Sequence, residues 1–178
     1  MLILGMSDSH EAHACLSENG KIIAAVAEER FSRLKSDSGY PKKSIDQVMK
    51  IAGVKKSDID LVAIAGTRAG LFHTIMKPVA QFSIDDWLLQ NELYWKPKLI
   101  DKKPLNPLDD FKLFEKRIPD FKTNPYAGFV AEAKKSNKND YNKILNKYRK
   151  NALINHLKIN TDKIYFIRHE ECHQFYGY

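Results

Sequence analysis

The sequence predicts an α/β fold built on a mixed β-sheet with flanking helices. Three observations carry that expectation. Short apolar runs of strand length follow one another before residue 28, joined by tight turns. A helical repeat then runs from Pro41 to Gly53. A further apolar run, Leu61 to Ala65, returns to the sheet, so the order is β-β-β-α-β. That order joins an antiparallel meander to a parallel crossover.

Each element has its own warrant. Leu2-Ile3-Leu4 is an apolar run ended by Gly5, and Ala12 to Leu16 is small and apolar. Glu18-Asn19-Gly20-Lys21 is a turn, and Asn-Gly between apolar runs marks a hairpin. Ile22 to Ala27 reads as a buried strand. After Pro41, residues Ile45, Val48, Met49 and Ala52 recur at helical spacing, and Gly53 supplies a C-cap. Asp58-Ile59-Asp60 leads into Leu61 to Ala65, which Gly66 ends. Residues 67–150 are less regular. Leu71 to Ile75 and Ile84 to Trp95 are expected to be helical, and Pro97, Pro104, Pro107, Pro119 and Pro125 to interrupt what lies around them. Frequent aromatics there, including Trp87, Tyr94, Phe111, Phe114, Phe121, Tyr126 and Phe129, predict an ordered, packed region. Residues 129–157 suit one or two basic helices, 163–167 a short strand, and Arg168 onward a last helix.

The 178 residues suit one domain, with roughly 70% of the unfolded surface buried and no need of disulfide staples. Hydrophobic residues at 43% and charged residues at 29% exclude a disordered chain. No apolar run approaches the ~18 residues of a membrane span. Met1 to Gly5 lacks a basic n-region, which argues against a signal peptide. Two cysteines, Cys15 and Cys172, suit a reducing compartment, so a cytoplasmic location is expected. The net charge of +7 is concentrated: residues 134–150 carry 7 basic side chains and 1 acidic one, whereas residues 1–66 balance at 9 and 9. A single lysine-rich stretch reads as a solvated face rather than a nucleic-acid footprint.

Several residues are candidates for chemistry. His169 and His173 lie four apart, on one face of the expected last helix and within reach of one divalent ion. They follow a strand, at the edge where open α/β sheets bind ligands. Cys172 reads as a small packed residue and His13, inside an apolar run, as structural. The turn Gly5-Met6-Ser7-Asp8-Ser9-His10 follows the first strand, and His10 could polarise or bind a substrate oxygen. Glu28-Glu29-Arg30-Phe31-Ser32-Arg33-Leu34-Lys35 follows the third strand. In an extended chain Arg33 and Lys35 point the same way, suiting a phosphate or carbamoyl oxygen, with Glu28 and Glu29 pairing with them.

The segment ILGMSDSHEAHACLSENGKIIAAVAEERFSRLKSDSGYP resembles the opening of the NodU/CmcH-type O-carbamoyltransferase family. The residues that carry the resemblance are Gly5, Ser7, His10, Gly20, Glu28, Glu29, Arg30, Phe31, Arg33, Lys35 and Pro41, together with His169 and His173 of a His-rich run. It covers residues 2–65, lapses over about 70–160 and returns at 168–178. Glu11, His13, Tyr40 and Glu170 depart from the family's pattern.

The resemblance implies an actin/sugar-kinase/Hsp70-like (ASKHA, ribonuclease H-like) fold, incomplete at its C-terminus. Residues 1–178 would then form the N-terminal part of a carbamoyl-transfer domain, with a family-variable insertion at about 70–160. The rest of that domain and a YrdC-like domain would lie outside this chain, leaving the segment inactive alone. The activity implied is transfer of carbamoyl from carbamoyl-adenylate, made from carbamoyl phosphate and ATP, to a hydroxyl of a sugar or natural product. By position, His10 and Lys35 would be catalytic, Ser7 and Arg33 would bind substrate, and His169 and His173 would bind a divalent metal, Fe2+ before Zn2+. Expected partners are the small hydroxyl acceptor and the rest of the polypeptide, with no membrane or nucleic acid and with self-association compatible. A tRNA threonylcarbamoyl-transfer relative and a non-catalytic ASKHA-like binding fragment are the alternatives.

Overall fold

A computed structural model describes residues 1–68, 70, 73–117, 123–137 and 140–176. Its centre is a sheet of β1 (Leu2–Ser7), β2 (His13–Glu18), β3 (Lys21–Ala27), β4 (Leu61–Ala65) and β5 (Ile164–Ile167), in the order β3-β2-β1-β4-β5. β1 runs antiparallel to β2 and β2 to β3, while β1, β4 and β5 are parallel. Only β2 is therefore reversed, and the C-terminal ends of the other four strands meet one edge. The β2–β3 hairpin turns on Asn19 and Gly20, both at positive φ (50° and 81°), the conformation a two-residue hairpin needs.

The helices are α1 (Glu29–Ser32), α2 (Lys42–Ala52), α3 (His73–Met76), α4 (Pro78–Gln81), α5 (Ile84–Gln90), α6 (Lys96–Leu99), α7 (Pro107–Phe114), α8 (Gly128–Ala133), α9 (Tyr141–Leu157) and α10 (His169–Tyr176). α2 ends as its sequence predicts, with Gly53 left-handed at φ 67°. Its start has a partner the sequence does not advertise. The buried Glu28 carboxylate accepts hydrogen bonds from the Lys43 and Ser44 amides (3.2 and 2.7 Å) and from the Ser44 hydroxyl (2.7 Å). An anion there satisfies amides that have no partner within the helix and favours the positive end of its dipole.

Two apolar clusters form the core. One sheet face, with Leu2, Leu4, Met6, Ala14, Leu16, Val62, Ile64 and Ile164, packs on Ile45, Val48 and Met49 of α2 and on Leu153 and Leu157 of α9. The other cluster joins Ile75, Phe111, Phe114, Tyr126, Phe129 and Val130 to Tyr141, Ile144, Leu145 and Ala152. α9 contributes to both and so fixes the described parts of residues 73–117 and 123–133 against the sheet. On the opposite sheet face, Ile3, Gly5, Cys15, Ala63 and Tyr165 remain half-buried or exposed.

Most expected elements appear where the sequence places them, but β3 is not the buried strand expected: it lies at the sheet edge, with Ile22 72% and Ile23 40% exposed. Pro97 is a correction. It does not interrupt the helix after Trp95, because a π turn over Asn91–Trp95 joins α5 to α6. The wider turn lets the Lys96 amide donate to the Asn91 carbonyl, and Pro97, which has no N–H to place, follows at once. Pro107 starts α7 rather than breaking one. Leu71, Pro119 and Phe121 lie outside the described residues.

Candidate functional site

The common C-terminal edge of β1, β3, β4 and β5 gathers the chemically capable residues. Its foundation is a buried joint. Asp8 follows β1 and Arg149 comes from the middle of α9, and both are 0% exposed. Arg149 Nε donates to Asp8 Oδ2 (2.8 Å) and Nη2 to Asp8 Oδ1 (2.7 Å), a bidentate pair. Nη1 donates to the Gly66 carbonyl and to Asn146 Oδ1 (2.9 Å each), and Nη2 also reaches the Ala65 carbonyl (3.2 Å). All five guanidinium hydrogens thus have acceptors, and the group stacks on the Phe166 ring at 4.9 Å. The Tyr126 hydroxyl donates to Asp8 Oδ2 (2.7 Å). Burial, and then the neighbouring Asp8 charge, hold this phenol far above its usual range, so it remains a donor. One pair of side chains therefore ties the tips of β1, β4 and β5 to α9.

Ser7, the last residue of β1, is buried and lies opposite His13 of β2. His10 is exposed on the turn that follows; its Nδ1 lies 3.2 Å from Ser9 Oγ. It lines a cleft of about 370 Å³ with Ser9, Glu11, Ser36, Gly70 and Val79. The cleft brings Ser36, the neighbour of Lys35, to the turn that carries His10. Two backbone bonds hold these segments together, from the Ala12 amide to the Asp37 carbonyl (2.7 Å) and from the Gly39 amide to the Asp8 carbonyl (3.0 Å). Gly39 has φ 92°, and a Cβ there would come within 2.7 Å of the Thr74 carbonyl, so only glycine fits. His13 is exposed rather than packed, with Nδ1 2.7 Å from the Glu11 carbonyl.

The segment after β3 is not extended. α1 occupies Glu29–Ser32 and Arg33 caps it in the left-handed region at φ 61°, so strand parity does not align Arg33 with Lys35. Both side chains are exposed. Lys35 Nζ binds Glu29 Oε1 and Oε2 (3.0 and 3.2 Å), and the Ser36 amide donates to Glu29 Oε2 (2.9 Å). The Ser36 amide first, and then Lys35, hold the Glu29 carboxyl below its usual range. Glu29 therefore pairs with a cation as the sequence suggests, whereas Glu28 turns inward to cap α2.

His169 and His173 open α10 at the end of β5, both exposed. Their Nε2 atoms lie 2.9 Å apart with the rings edge to face. That spacing fits one N–H···N hydrogen bond and equally two donors to one ion. Glu171 is not a third donor. It accepts from the Arg168 amide (3.1 Å), Nε (3.0 Å) and Nη2 (2.7 Å), and the Arg168 bond holds it below the usual carboxylate range. Among the described residues no group of three or more His, Cys, Asp and Glu is assembled for a metal, so the pair is half of a site. Along the sheet edge β1 and β5 are two strand spacings apart, about 10 Å, and β3 and β5 four, about 19 Å. His10 thus stands between the Lys35 loop and the histidine pair.

A second wall lies beside this edge. A cleft of about 730 Å³ includes Asp37, Gly39, Tyr40, Lys43, Ile75, Lys77 and Asn124. Lys77 donates to the buried Asp37 (2.6 Å). An adjoining cleft of about 610 Å³ includes Tyr40, Tyr148, Asn155 and His156. The Tyr40 hydroxyl lies 2.9 Å from His156 Nδ1, and His156 Nε2 lies 2.8 Å from Asp46 Oδ1. Burial lowers the His156 pKa, against the pull of Asp46.

Sequence reasoning passed over Asp8 and Arg149. Arg149 was hidden in the lysine-rich stretch, whose other members are mostly exposed. Its signal was position: Tyr141, Leu145, Arg149 and Leu153 share one helical stripe, and an arginine on an apolar stripe needs an internal anion.

The family model described as the carbamoyltransferase N-terminus matches residues 2–178. An uncharacterized Methanocaldococcus jannaschii protein is 38% identical over 65 residues, 36% of this chain and 12% of its own. The nodulation protein NolNO of Sinorhizobium fredii is 43% identical over 60 residues, 34% of this chain and 9% of its own. An uncharacterized Synechocystis protein is 32% identical over 121 residues, 62% of this chain and 19% of its own. The matches thus span between about a tenth and a fifth of these three curated relatives.

Proposed function

From the premise that this chain belongs to the carbamoyltransferase N-terminal family, we propose that it supplies one wall of a carbamoyl-transfer site in a longer enzyme. Residues 1–178 form the N-terminal part of an ASKHA-like, ribonuclease H-like domain, with residues 70–160 as its variable insertion. The strand order β3-β2-β1-β4-β5 with β2 alone reversed supports that fold. The reaction is transfer of carbamoyl from carbamoyl-adenylate, made from carbamoyl phosphate and ATP on a YrdC-like domain, to a hydroxyl of a sugar or natural product. The bond from the carbamoyl carbon to the adenylate oxygen breaks, a bond to the acceptor oxygen forms, and AMP leaves.

The observation that carries this reading is the shared sheet edge, where the turn after β1, the loop after β3 and the helix after β5 all emerge. His10, exposed beside a cleft, takes the proton of the attacking hydroxyl. Lys35 and Arg33 hold the negative oxygens of the adenylate and of the developing tetrahedral centre. Lys35 is free to do so because its pair with Glu29 is exposed and weak. Ser7, at the buried tip of β1, orients the turn that presents His10. His169 and His173 hold a divalent ion, Fe2+ or Zn2+, completed by ligands from elsewhere. When bound, that ion supplies electrostatic stabilisation of the developing charge. Three basic residues of the lysine-rich stretch are paired within the chain, Lys147 on Glu132 (2.9 Å), Lys134 on Glu115 (3.7 Å) and Arg149 on Asp8 (2.7 Å), which lessens the charge left for a tRNA.

The test uses the longer enzyme with labelled carbamoyl phosphate, ATP and a panel of hydroxyl acceptors. Label should pass to an acceptor hydroxyl, and His10→Ala should abolish transfer while leaving carbamoyl-adenylate formation intact. Equal transfer by wild type and His10→Ala contradicts the assignment.

A further inference from the structure

The cleft of about 610 Å³ between the start of α2 and the second half of α9 takes no part in the transfer step, and it has the size of a small-molecule site. Tyr148, Asn151 and Asn155 of α9 line it. They are spaced three and four residues apart and so follow one another along one helical face. Across from them stand Tyr40 and Lys42, with His156 at the end of the row.

The hydrogens of this cleft can be assigned. Burial holds the Tyr40 phenol far above its usual range and the His156 imidazole below its own, so both are neutral. His156 Nε2–H donates to Asp46 Oδ1 (2.8 Å), and Nδ1 accepts the hydroxyl hydrogen of Tyr40 (2.9 Å). Among the described residues the Tyr40 oxygen accepts from no donor, so its lone pairs remain for a ligand. Asn151 and Asn155 are exposed, and among the described residues their side-chain amides have no hydrogen-bond partner. Tyr148 is held by its tip. Its hydroxyl donates to Glu132 Oε2 (3.1 Å), and a Cβ on Gly128 would come within 2.7 Å of its Cε1, so the glycine leaves the ring its place.

These groups select a ligand class. Each amide offers a donor and an acceptor, and two amides about 5–6 Å apart at Cβ reach hydroxyls on opposite sides of one six-membered ring. A pyranose carries such hydroxyls around its rim and C–H groups on its faces, which suit the electron-rich face of a tyrosine. A nucleotide would bring a phosphate, and the cation lining this cleft, Lys42, already faces Asp46 at 3.8 Å. The cleft also leads toward the transfer edge. It shares Tyr40, Thr123 and Pro125 with the cleft of about 730 Å³, which includes Asp37, the neighbour of Ser36 in the His10 cleft. We propose that Tyr40, Tyr148, Asn151 and Asn155 bind a neutral pyranose unit of the acceptor. Its identity as acceptor rests on the carbamoyl-transfer reading, whereas sugar binding does not.

Titration of the ¹⁵N-labelled chain with maltose, lactose and diacetylchitobiose, and separately with AMP, tests the site. A sugar should shift the side-chain amide signals of Asn151 and Asn155, and AMP should leave them in place. Asn151→Ala with Asn155→Ala should weaken sugar binding about 10-fold, with the remaining spectrum unchanged. In the longer enzyme the same double substitution should raise the acceptor KM about 10-fold more than it lowers kcat, as expected for loss of binding felt equally before and in the transition state. No shift with any of the three sugars, an equal shift with AMP, or a double variant that binds sugar like the wild type would overturn the site. Sugar binding by a longer enzyme that transfers no carbamoyl would overturn the acceptor assignment together with the transfer reading.

Discussion

The buried joint at Asp8 and Arg149 and the rim of His10, Lys35, His169 and His173 occupy the same sheet edge and are built in opposite ways. In the joint every guanidinium hydrogen has an acceptor and both charges are out of water. On the rim all four side chains are exposed, and each bonds to a side chain within six residues in the sequence. The contrast teaches that positioning and chemistry are separated here. The joint fixes where the strand tips and α9 meet, and the rim residues stand on that frame with weak bonds that a ligand can replace.

Substitutions should break the two regions differently. The largest effect is expected on the rim: His10→Ala in the longer enzyme should lower the transfer rate by about 10²–10⁴-fold. Because His10 is exposed, the urea midpoint of the chain should hardly move, by the equivalent of about 0.5 kcal/mol or less. The joint should respond in reverse. Arg149→Met leaves Asp8 buried and unpaired and should cost about 3–5 kcal/mol in chemical denaturation. Replacing both partners, Asp8→Leu with Arg149→Met, should recover part of that loss. A smaller loss, about 1–2 kcal/mol, is expected for Glu28→Ala, which removes the cap of α2.

The smallest effect concerns pH. Burial depresses the pKa of folded His156, so the folded chain favours the neutral ring. Its contribution is complete above the unfolded value of about 6.5 and is lost as pH falls through the depressed folded value. Thermal melts from pH 7 to pH 5 should therefore decline in the wild type and decline less in His156→Gln. An equal decline in both would assign the acid sensitivity to other groups.

Much of this frame was legible in the sequence. The apolar run from Leu2, the Asn19-Gly20 turn and the stripe Ile45, Val48, Met49 are local patterns, and each formed its expected element, although β1 continues through Gly5 to Ser7. Long-range pairing was not legible. Nothing local tells Asp8 that its partner lies 141 residues away, or Glu28 that it will cap a helix 15 residues on. Parity failed at Arg33 because a short helix replaced the extended chain. The helix expected over Ile84 to Trp95 formed, but its continuation through α6 escaped because Pro97 reads as a breaker until a π turn precedes it. The rim histidines were legible for the opposite reason, since i and i+4 on one helix are neighbours whatever the fold around them.

The central claim is that the histidine pair, His10 and the Lys35 loop share one site, and paramagnetic broadening tests it most directly. Mn2+ added to the ¹⁵N-labelled chain should weaken the amide signals of residues 169–173, then those of Ser9 to Glu11, then those of Lys35 and Ser36. Asn19 and Gly20, at the far end of the sheet, should stay sharp, and His173→Ala should abolish the whole pattern. Broadening confined to residues 169–173, or a pattern unchanged by His173→Ala, would contradict the account.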